Sequence, residues 1–445
     1  MQEADPLARI SSIRYALVIL DGLADRPIPE NGGRTPTESA FTPQLDHACT
    51  IGQLGQVVVL GPGIAPESDA GVFALLGYDP VRDSPGRGVL EAEGAGIDLA
   101  PGDVAFRLNF ATLGPDGRIL DSRVGRSLAT LEAIELARML TARDLLATEG
   151  IRAEVHATVG HRGVLWLRST RVGPLSADVS NADPFYEKIG GMGQARKATD
   201  LHVPSVEPLD GSPEAVRTAR ATNLFLERAR AALADDPVNT RRARAGAKVA
   251  NGLLVRNAGS LASTPPPTFS AKYGRAGAAV TEMPVERGIA RVLHLEDRYL
   301  GPMGLDRDEG YRERAAATRA ALDAFPFVYV HLKGPDEPGH DGDGRLKQEI
   351  IEAIDRSFFG PFLDGLDLRH VRIAVTADHA TPVVLKGHSD DPVPLLLFGA
   401  GITPAPGGPE RPKFGEASAA RGALGTLAGR EVLPLLFDGP DGRPE

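Results

Sequence analysis

Three short apolar runs in this sequence each stop on side chains that can bind cations, and that arrangement limits the fold more than any other feature. Tyr15-Ala-Leu-Val-Ile-Leu20 stops at Asp21-Gly22, and Phe325-Pro-Phe-Val-Tyr-Val-His-Leu332 stops at Lys333-Gly-Pro-Asp336. Val371-Arg-Ile-Ala-Val-Thr376 stops at Ala377-Asp378-His379. Continuous apolar runs of this length are the pattern of strands buried on both faces of a parallel sheet. A segment of helical composition, 307–324, leads into the second run, and another, 346–366, separates it from the third. Strand, helix, strand alternation predicts a doubly wound α/β sheet.

The middle of the chain differs. The spacing predicts a helix from Ser127, as N-cap, to a stop at Gly150, and a second opened by Ser212-Pro213 and running towards Leu233. Strand-like Gly163-Val-Leu-Trp-Leu167 lies between them, with Trp166 expected in the core, and the Pro-rich 259–269 reads as a connector. These features predict a smaller α/β domain inserted into a larger one. The expected divisions are 1–112 and 263–445 for the larger domain and 113–262 for the insertion.

Open α/β sheets bind ligands beyond the carboxyl ends of their strands. Asp21, Asp336, His340, Asp378, His379 and His388 would therefore meet at one sheet edge. Unpaired, such a group of charges is costly; two divalent cations would neutralise it. Mixed Asp/His ligation suits Zn or Mn better than Mg or Ca.

Ser68 follows the Gly/Pro loop 61–66 and precedes apolar residues at helical spacing, which sets it at a helix N-terminus. On this segment alone it reads as a helix cap. Beside a metal ion, the same hydroxyl becomes a candidate nucleophile towards a phosphate.

Composition narrows the partners. The net charge of −10 and an aromatic content of 5% argue against a nucleic-acid binder. No stretch approaches the roughly 20 apolar residues of a membrane span, and Met1 to Ile13 lacks the apolar core of a signal peptide. The single cysteine, Cys49, cannot form an intrachain disulfide, which fits a reducing, cytoplasmic compartment. His156, His202 and His370 read as surface or packing residues.

Several motifs then converge. Asp21-Gly22, Ser68-Asp69 running into Ala74-Leu-Leu-Gly-Tyr-Asp-Pro80, Gly86-Arg-Gly88, Asp103-Val-Ala-Phe-Arg107, Asn109-Phe-Ala-Thr112 and Asp121-Ser-Arg-Val-Gly-Arg126 belong to the pattern. So do His161-Arg162-Gly163, 333–341, Thr376-Ala-Asp-His-Ala-Thr-Pro382 and Lys386-Gly-His-Ser-Asp-Asp-Pro392. In this order and spacing, from about Tyr15 to about Leu435, the chain resembles the archaeal-type cofactor-independent phosphoglycerate mutases of the alkaline phosphatase superfamily.

The resemblance implies an alkaline-phosphatase-like core. One divalent ion would be held by Asp336, His340 and His388 and the other by Asp21, Ser68, Asp378 and His379, with Mn or Zn first and Mg or Co as alternatives. It implies Ser68 as a nucleophile phosphorylated in a covalent intermediate and Lys333 as a second catalytic group. Arg123, Arg126, His161 and Arg162 would hold the glycerate, and the inserted domain would close over it. The substrate is then a small phosphorylated acid of glycolysis and gluconeogenesis, with neither nucleic acid nor membrane as partner; the oligomeric state is left open.

Without their partners, Arg123 and Arg126 would read as a solvated loop pair. Arg256 lies in a segment, 251–259, that also resembles the family. Two positions depart from the pattern. Glu67 precedes the nucleophile where the family usually has a small residue or an amide, and Val72 stands where a histidine is common. They keep open a metal-dependent phosphatase or phosphotransferase acting on another small phosphate ester.

Overall fold

In the computed structural model, which describes residues 13–189, 192–196, 198–261, 265–405 and 412–442, the three apolar runs form neighbouring strands. The chain lays down β1 (Arg14–Leu20) and β2 (Gly52–Val58), then β3 (Val104–Leu113), β4 (Ile119–Asp121), β5 (Ile151–Ala157), β6 (Arg162–Ser169), β7 (Tyr186–Ile189), β8 (Met192–Ala195) and β9 (Gly252–Gly259). It continues with β10 (Gly277–Thr281), β11 (Glu296–Tyr299), β12 (Phe327–Leu332), β13 (Val371–Thr376), β14 (Val393–Gly399) and β15 (Thr426–Ala428).

Two compact units result, one of 1–83 with 267–445 and the other of 84–266. The second starts ahead of the expected edge at 112/113, because β3 pairs with both β6 and β9 from Ala105 onwards and stays with them. The other expected edge, 262/263, lies outside the described residues, as do residues 1–12 of the N-terminal stretch.

The larger unit is built on an eight-stranded sheet of order β11-β10-β12-β1-β13-β14-β2-β15. From β11 to β13 all neighbours are parallel, whereas β14 runs antiparallel to both β13 and β2. Every residue of β12 and β13 is buried, and only Arg14 of β1 is not. Each fully buried Val, Leu or Ile contributes roughly 1.5–3 kcal/mol, which holds these three strands at the centre of the sheet. Leu20 pairs with Leu332, and Ile19 with both His331 and Thr376, so the three carboxyl ends finish level.

The predicted helix over 307–324 is observed as Arg307–Ala324. The one expected over 346–366 is Gly344–Ile354, a π-helical turn Asp355–Phe359, and Gly360–Leu363. Among the described residues no helix is long and apolar enough to cross a membrane.

The smaller unit has an antiparallel sheet in which β3 is flanked by β6 and β9, with β5 beyond β6 and β4 at the end of β3. Val104, Phe106, Leu108 and Phe110 of β3 share a buried core with Ala133, Leu136 and Leu140 and with Ala219, Phe225 and Leu233. The latter sets come from the helices Thr130–Ala142 and Pro213–Ala234, the second capped by Ser212 as expected. The first is shorter than expected. Ser127 is not its cap but donates to Val124 O at 2.8 Å, and the helix gives way before Asp144 (φ 44°), although Gly150 (φ 68°) does end the segment. Trp166 is buried, with Nε1 donating to Asp103 Oδ2 at 3.0 Å.

Candidate metal and nucleophile site

Asp21 follows β1, Asp336 opens the short helix after β12, and Asp378 and His379 follow β13. The loops meet closely. Gly22 has φ 60°, its N–H donates to Asp378 Oδ1 at 3.1 Å, and a Cβ there would come 2.6 Å from Thr381 Oγ1 and 2.8 Å from Asp336 Cβ. Glycine is needed both for the left-handed turn and for this approach. Gly71, in the helix Ser68–Leu75, likewise lets that helix pack on the Asp378 carbonyl.

The six predicted Asp and His side chains assemble as two triads. Asp336, His340 and His388 form one, and the buried Asp21, Asp378 and His379 form the other; within each, the ligating atoms lie within 4.8 Å of one another. In the first, His340 Nε2 is 3.2 Å from His388 Nε2, and these nitrogens are 3.5 and 3.4 Å from the Asp336 oxygens. Such edges are those of ligand atoms at about 2.1 Å from a tetrahedral centre. In the second, His379 Nε2 is 3.4 Å from Asp378 Oδ2 and 3.7 Å from Asp21 Oδ1.

The surroundings fit cations. Asp21 Oδ1 and Asp378 Oδ2 are buried with no hydrogen-bond partner, a costly arrangement for carboxylates unless a cation sits between them. The three histidines each turn Nδ1 to an oxygen: His379 to Thr381 Oγ1 at 3.0 Å, His388 to Pro66 O at 2.7 Å and His340 to Lys386 O at 3.3 Å. In the neutral tautomer with the proton on Nδ1, each ring turns its Nε2 lone pair towards its triad, as metal-binding histidines require.

Electrostatics without cations are strained. Burial pushes the Asp21 carboxyl up to about 7, with Asp378 and Asp336 adding to the shift and Lys333 opposing it. Burial also pushes His379 down to about 3. Burial opposes the charged form of His388 as well, yet Asp336 and Glu67 hold it at about 10. Glu67, next to Ser68, thus adds to the negative field that keeps His388 charged.

Ser68 occupies the first turn of its helix rather than the cap position, which is Glu67. Its Oγ lies 3.3 Å from His379 Nε2 and so stands at the second triad. Val72 is fully buried one turn further on. Lys333 Nζ is 2.8 Å from Glu286 Oε1 and 3.2 Å from Asp21 Oδ2. Burial opposes its charge, but Asp21, Glu286 and Asp378 hold its pKa well above the ordinary lysine value.

Sequence reasoning missed Glu286, His331 and Thr381. His331 is buried, 3.5 Å from Glu286 and 3.4 Å from Asp378; a histidine inside an otherwise apolar strand was its available signal. Glu286 reads in sequence as a helix-capping acid, and its side chain does accept from Met283 N at 2.9 Å.

The remaining predicted residues lie in the smaller unit. Arg123 and Arg126 line one cavity of about 620 Å³ with Asp121, Ser122 and Phe185. Val124, Gly125 and Arg126 all have positive φ (53°, 61° and 54°), so this loop holds a conformation seldom adopted by side-chain-bearing residues. His161 is buried; burial, then the charges of Arg162, Arg123, Arg107 and Arg256, push its pKa down to about 3. Arg256 is buried, paired with Asp183 at 2.6 Å and stacked 3.9 Å from the Tyr186 ring. His202 and His370 are exposed and His156 half-buried beside Glu154, as their surface assignment expected.

Comparison with known proteins shows the family. Residues 50–239 match the family described as 2,3-bisphosphoglycerate-independent phosphoglycerate mutase. A protein of that name from Aeropyrum pernix is 44% identical, covering 95% of this chain and 98% of its own length. One from Methanopyrus kandleri is 39% identical, covering 96% of each. A solved structure of a Pyrococcus horikoshii protein matches with a TM-score of 0.76 at 30% identity, covering 98% of this chain and 99% of that one. The cofactor-independent phosphoglycerate mutase of Thermoplasma acidophilum matches at 0.61 and 32%, covering 96% and 99%. The chain belongs to the 2,3-bisphosphoglycerate-independent phosphoglycerate mutase family.

Proposed function

We propose that this protein interconverts 3-phosphoglycerate and 2-phosphoglycerate through a phosphoserine at Ser68. The observation that carries the reading is the Ser68 hydroxyl, at the start of its helix and 3.3 Å from a histidine of the second triad. Asp336, His340 and His388 would hold one divalent cation and Asp21, Asp378 and His379 the other, with Ser68 beside the second. The Asp/His donor set suits Mn or Zn better than the all-oxygen-preferring Mg or Ca. Such ions supply Lewis-acid polarisation of the phosphoryl oxygens and ease ionisation of the serine hydroxyl.

The chain's own residues do the rest. Ser68 Oγ attacks phosphorus in line; the Oγ–P bond forms as the bond from phosphorus to the glycerate 3-oxygen breaks. The freed glycerate then presents its 2-hydroxyl, whose oxygen takes the phosphoryl group back from Ser68. Lys333, kept charged by Asp21 and Glu286, offsets negative charge at the nucleophile. Arg123, Arg126 and Arg162 would pair with the glycerate carboxylate, to which a planar guanidinium is matched. His161, neutral in their company, would bind a glycerate hydroxyl. The inserted unit as a lid follows from the need to retain glycerate between the two transfers. The setting is taken as cytoplasmic, with the single cysteine buried and free.

The test is conversion of 3-phosphoglycerate by Mn-loaded protein in the absence of 2,3-bisphosphoglycerate. A phosphoryl adduct on Ser68, absent from Ser68→Ala, should accompany turnover; absence of conversion by the metal-loaded protein would sink the reading. Val72, where a polar orienting group is common, favours a phosphatase or phosphotransferase as second reading. Its mark would be release of inorganic phosphate, or transfer to an added acceptor, exceeding mutase flux.

A further inference from the structure

Lys347 has no part in the assignments above, yet it is completely buried. It lies in the helix Gly344–Ile354, which follows the helix Asp336–Asp341 that carries Asp336 and His340. Its Nζ donates to Asp25 Oδ2 at 2.8 Å, Thr381 O at 2.9 Å and Ala24 O at 3.3 Å. All three ammonium protons are thereby used.

Each acceptor belongs to a loop that carries triad residues. Asp25 is four residues beyond Asp21, and its oxygens also accept from Arg26 N at 2.8 Å and from Val383 N at 3.1 and 3.2 Å. Thr381 is two residues beyond His379, and its N–H donates to Ala24 O at 3.0 Å. The Thr381 hydroxyl accepts from His379 Nδ1 at 3.0 Å and donates to Asp336 Oδ1 at 2.7 Å, so one oxygen touches both triads. A packing role alone does not require a charge here. Replacing a whole buried ion pair by apolar side chains of similar volume is often neutral for stability, and fixing one arrangement is a role that such pairs are known to serve.

We propose that Lys347 is a positioning residue that holds the two triads in register, acting through Asp25 and Thr381, so that the affinity for both cations depends on it. The inference rests on the metal-site reading given under the proposed function. Groups that orient metal ligands from behind typically change metal affinity by 10–100-fold when removed.

The experiment is calorimetric titration of the full chain with Mn2+, with metal-free melting measured in parallel. Wild-type protein should take up two Mn2+; failure to bind any would overturn the metal reading and this inference with it. Lys347→Met leaves Asp25 buried without its partner, so the Asp25→Asn/Lys347→Met double variant, which removes both charges, is measured beside it. The expected result is a double variant that melts near the wild type but binds Mn2+ about tenfold or more weakly at both sites. Wild-type affinity in either folded variant, or weakening at one site alone, would overturn the proposal. Failure of both variants to fold would also overturn it, in favour of a purely structural role.

Discussion

The Lys333 ammonium rests 2.8 Å from Glu286 Oε1 on a side chain that is itself fully buried, which couples a helix start at Pro284 to the loop after β12. Glu286 also approaches His331 Nδ1 at 3.5 Å, and His331 in turn faces Asp378. Removing Glu286 takes a counter-charge from the half-buried Lys333 and a neighbouring carboxylate from the buried His331. Glu286→Ala should therefore cost about 3–5 kcal/mol of unfolding free energy in urea. Glu286→Gln keeps the volume and should lose less stability while still lowering kcat, because Lys333 would be held by Asp21 alone. Equal kcat in Glu286→Gln and wild type would remove Glu286 from the site.

Chelation should act on stability as well as on turnover. Asp21 and Asp378 are buried with oxygens that no donor satisfies, so their ionised forms are costly without a cation. Treatment with EDTA should abolish conversion and lower the melting temperature, and readdition of Mn2+ should restore both. A ligand at a hundred times its Kd stabilises by about 2.7 kcal/mol per site, enough to see by scanning calorimetry. A melting temperature indifferent to EDTA would contradict the assignment.

The triads were legible because their residues sit directly after buried strands, where apolar runs and strand-end geometry place them. β1, β12 and β13 could be identified, and the adjacency of their ends followed from the α/β class. What supports the triads was not legible. Lys347 lies 322 residues beyond Asp25 and 34 before Thr381, and nothing in local spacing signals a lysine that meets such distant acceptors. Ser127 does not cap the helix because its hydroxyl donates to Val124 O within its own turn and accepts from Arg242 Nη2, a partner 115 residues away.

His161 should stay neutral throughout the working range. Burial comes first and four arginines follow, bringing its pKa down to about 3 from an ordinary value near 6.5. The unfolded chain binds this proton below about 6.5 and the folded one does not, so its contribution to stability is present above that pH and is lost as pH falls towards 3. In NMR of ring-labelled protein, the His161 resonance should not titrate between pH 5 and 8. An inflection near 6.5 that disappears in His161→Asn would show the charge cluster to be weaker than this geometry implies.

Asp355 carries the opposite sign. From the π-helical turn it reaches the helix Pro43–Ile51, whose own Thr42 makes no side-chain cap, and accepts from Leu45 N at 2.9 Å and Gln44 N at 3.1 Å. Burial outweighs these bonds and pushes its carboxyl up to about 6. Above pH 4 the unfolded chain has released this proton while the folded one retains it until about 6, so stability falls as pH rises across that window. The loss amounts to roughly 3 kcal/mol by pH 7. Asp355→Asn keeps one acceptor for the helix start and has no proton to lose. Urea unfolding of this variant should lack that share of the decline between pH 4 and pH 7, so that wild type loses more stability across the window than the variant does. Parallel curves for the two proteins would place the titration elsewhere.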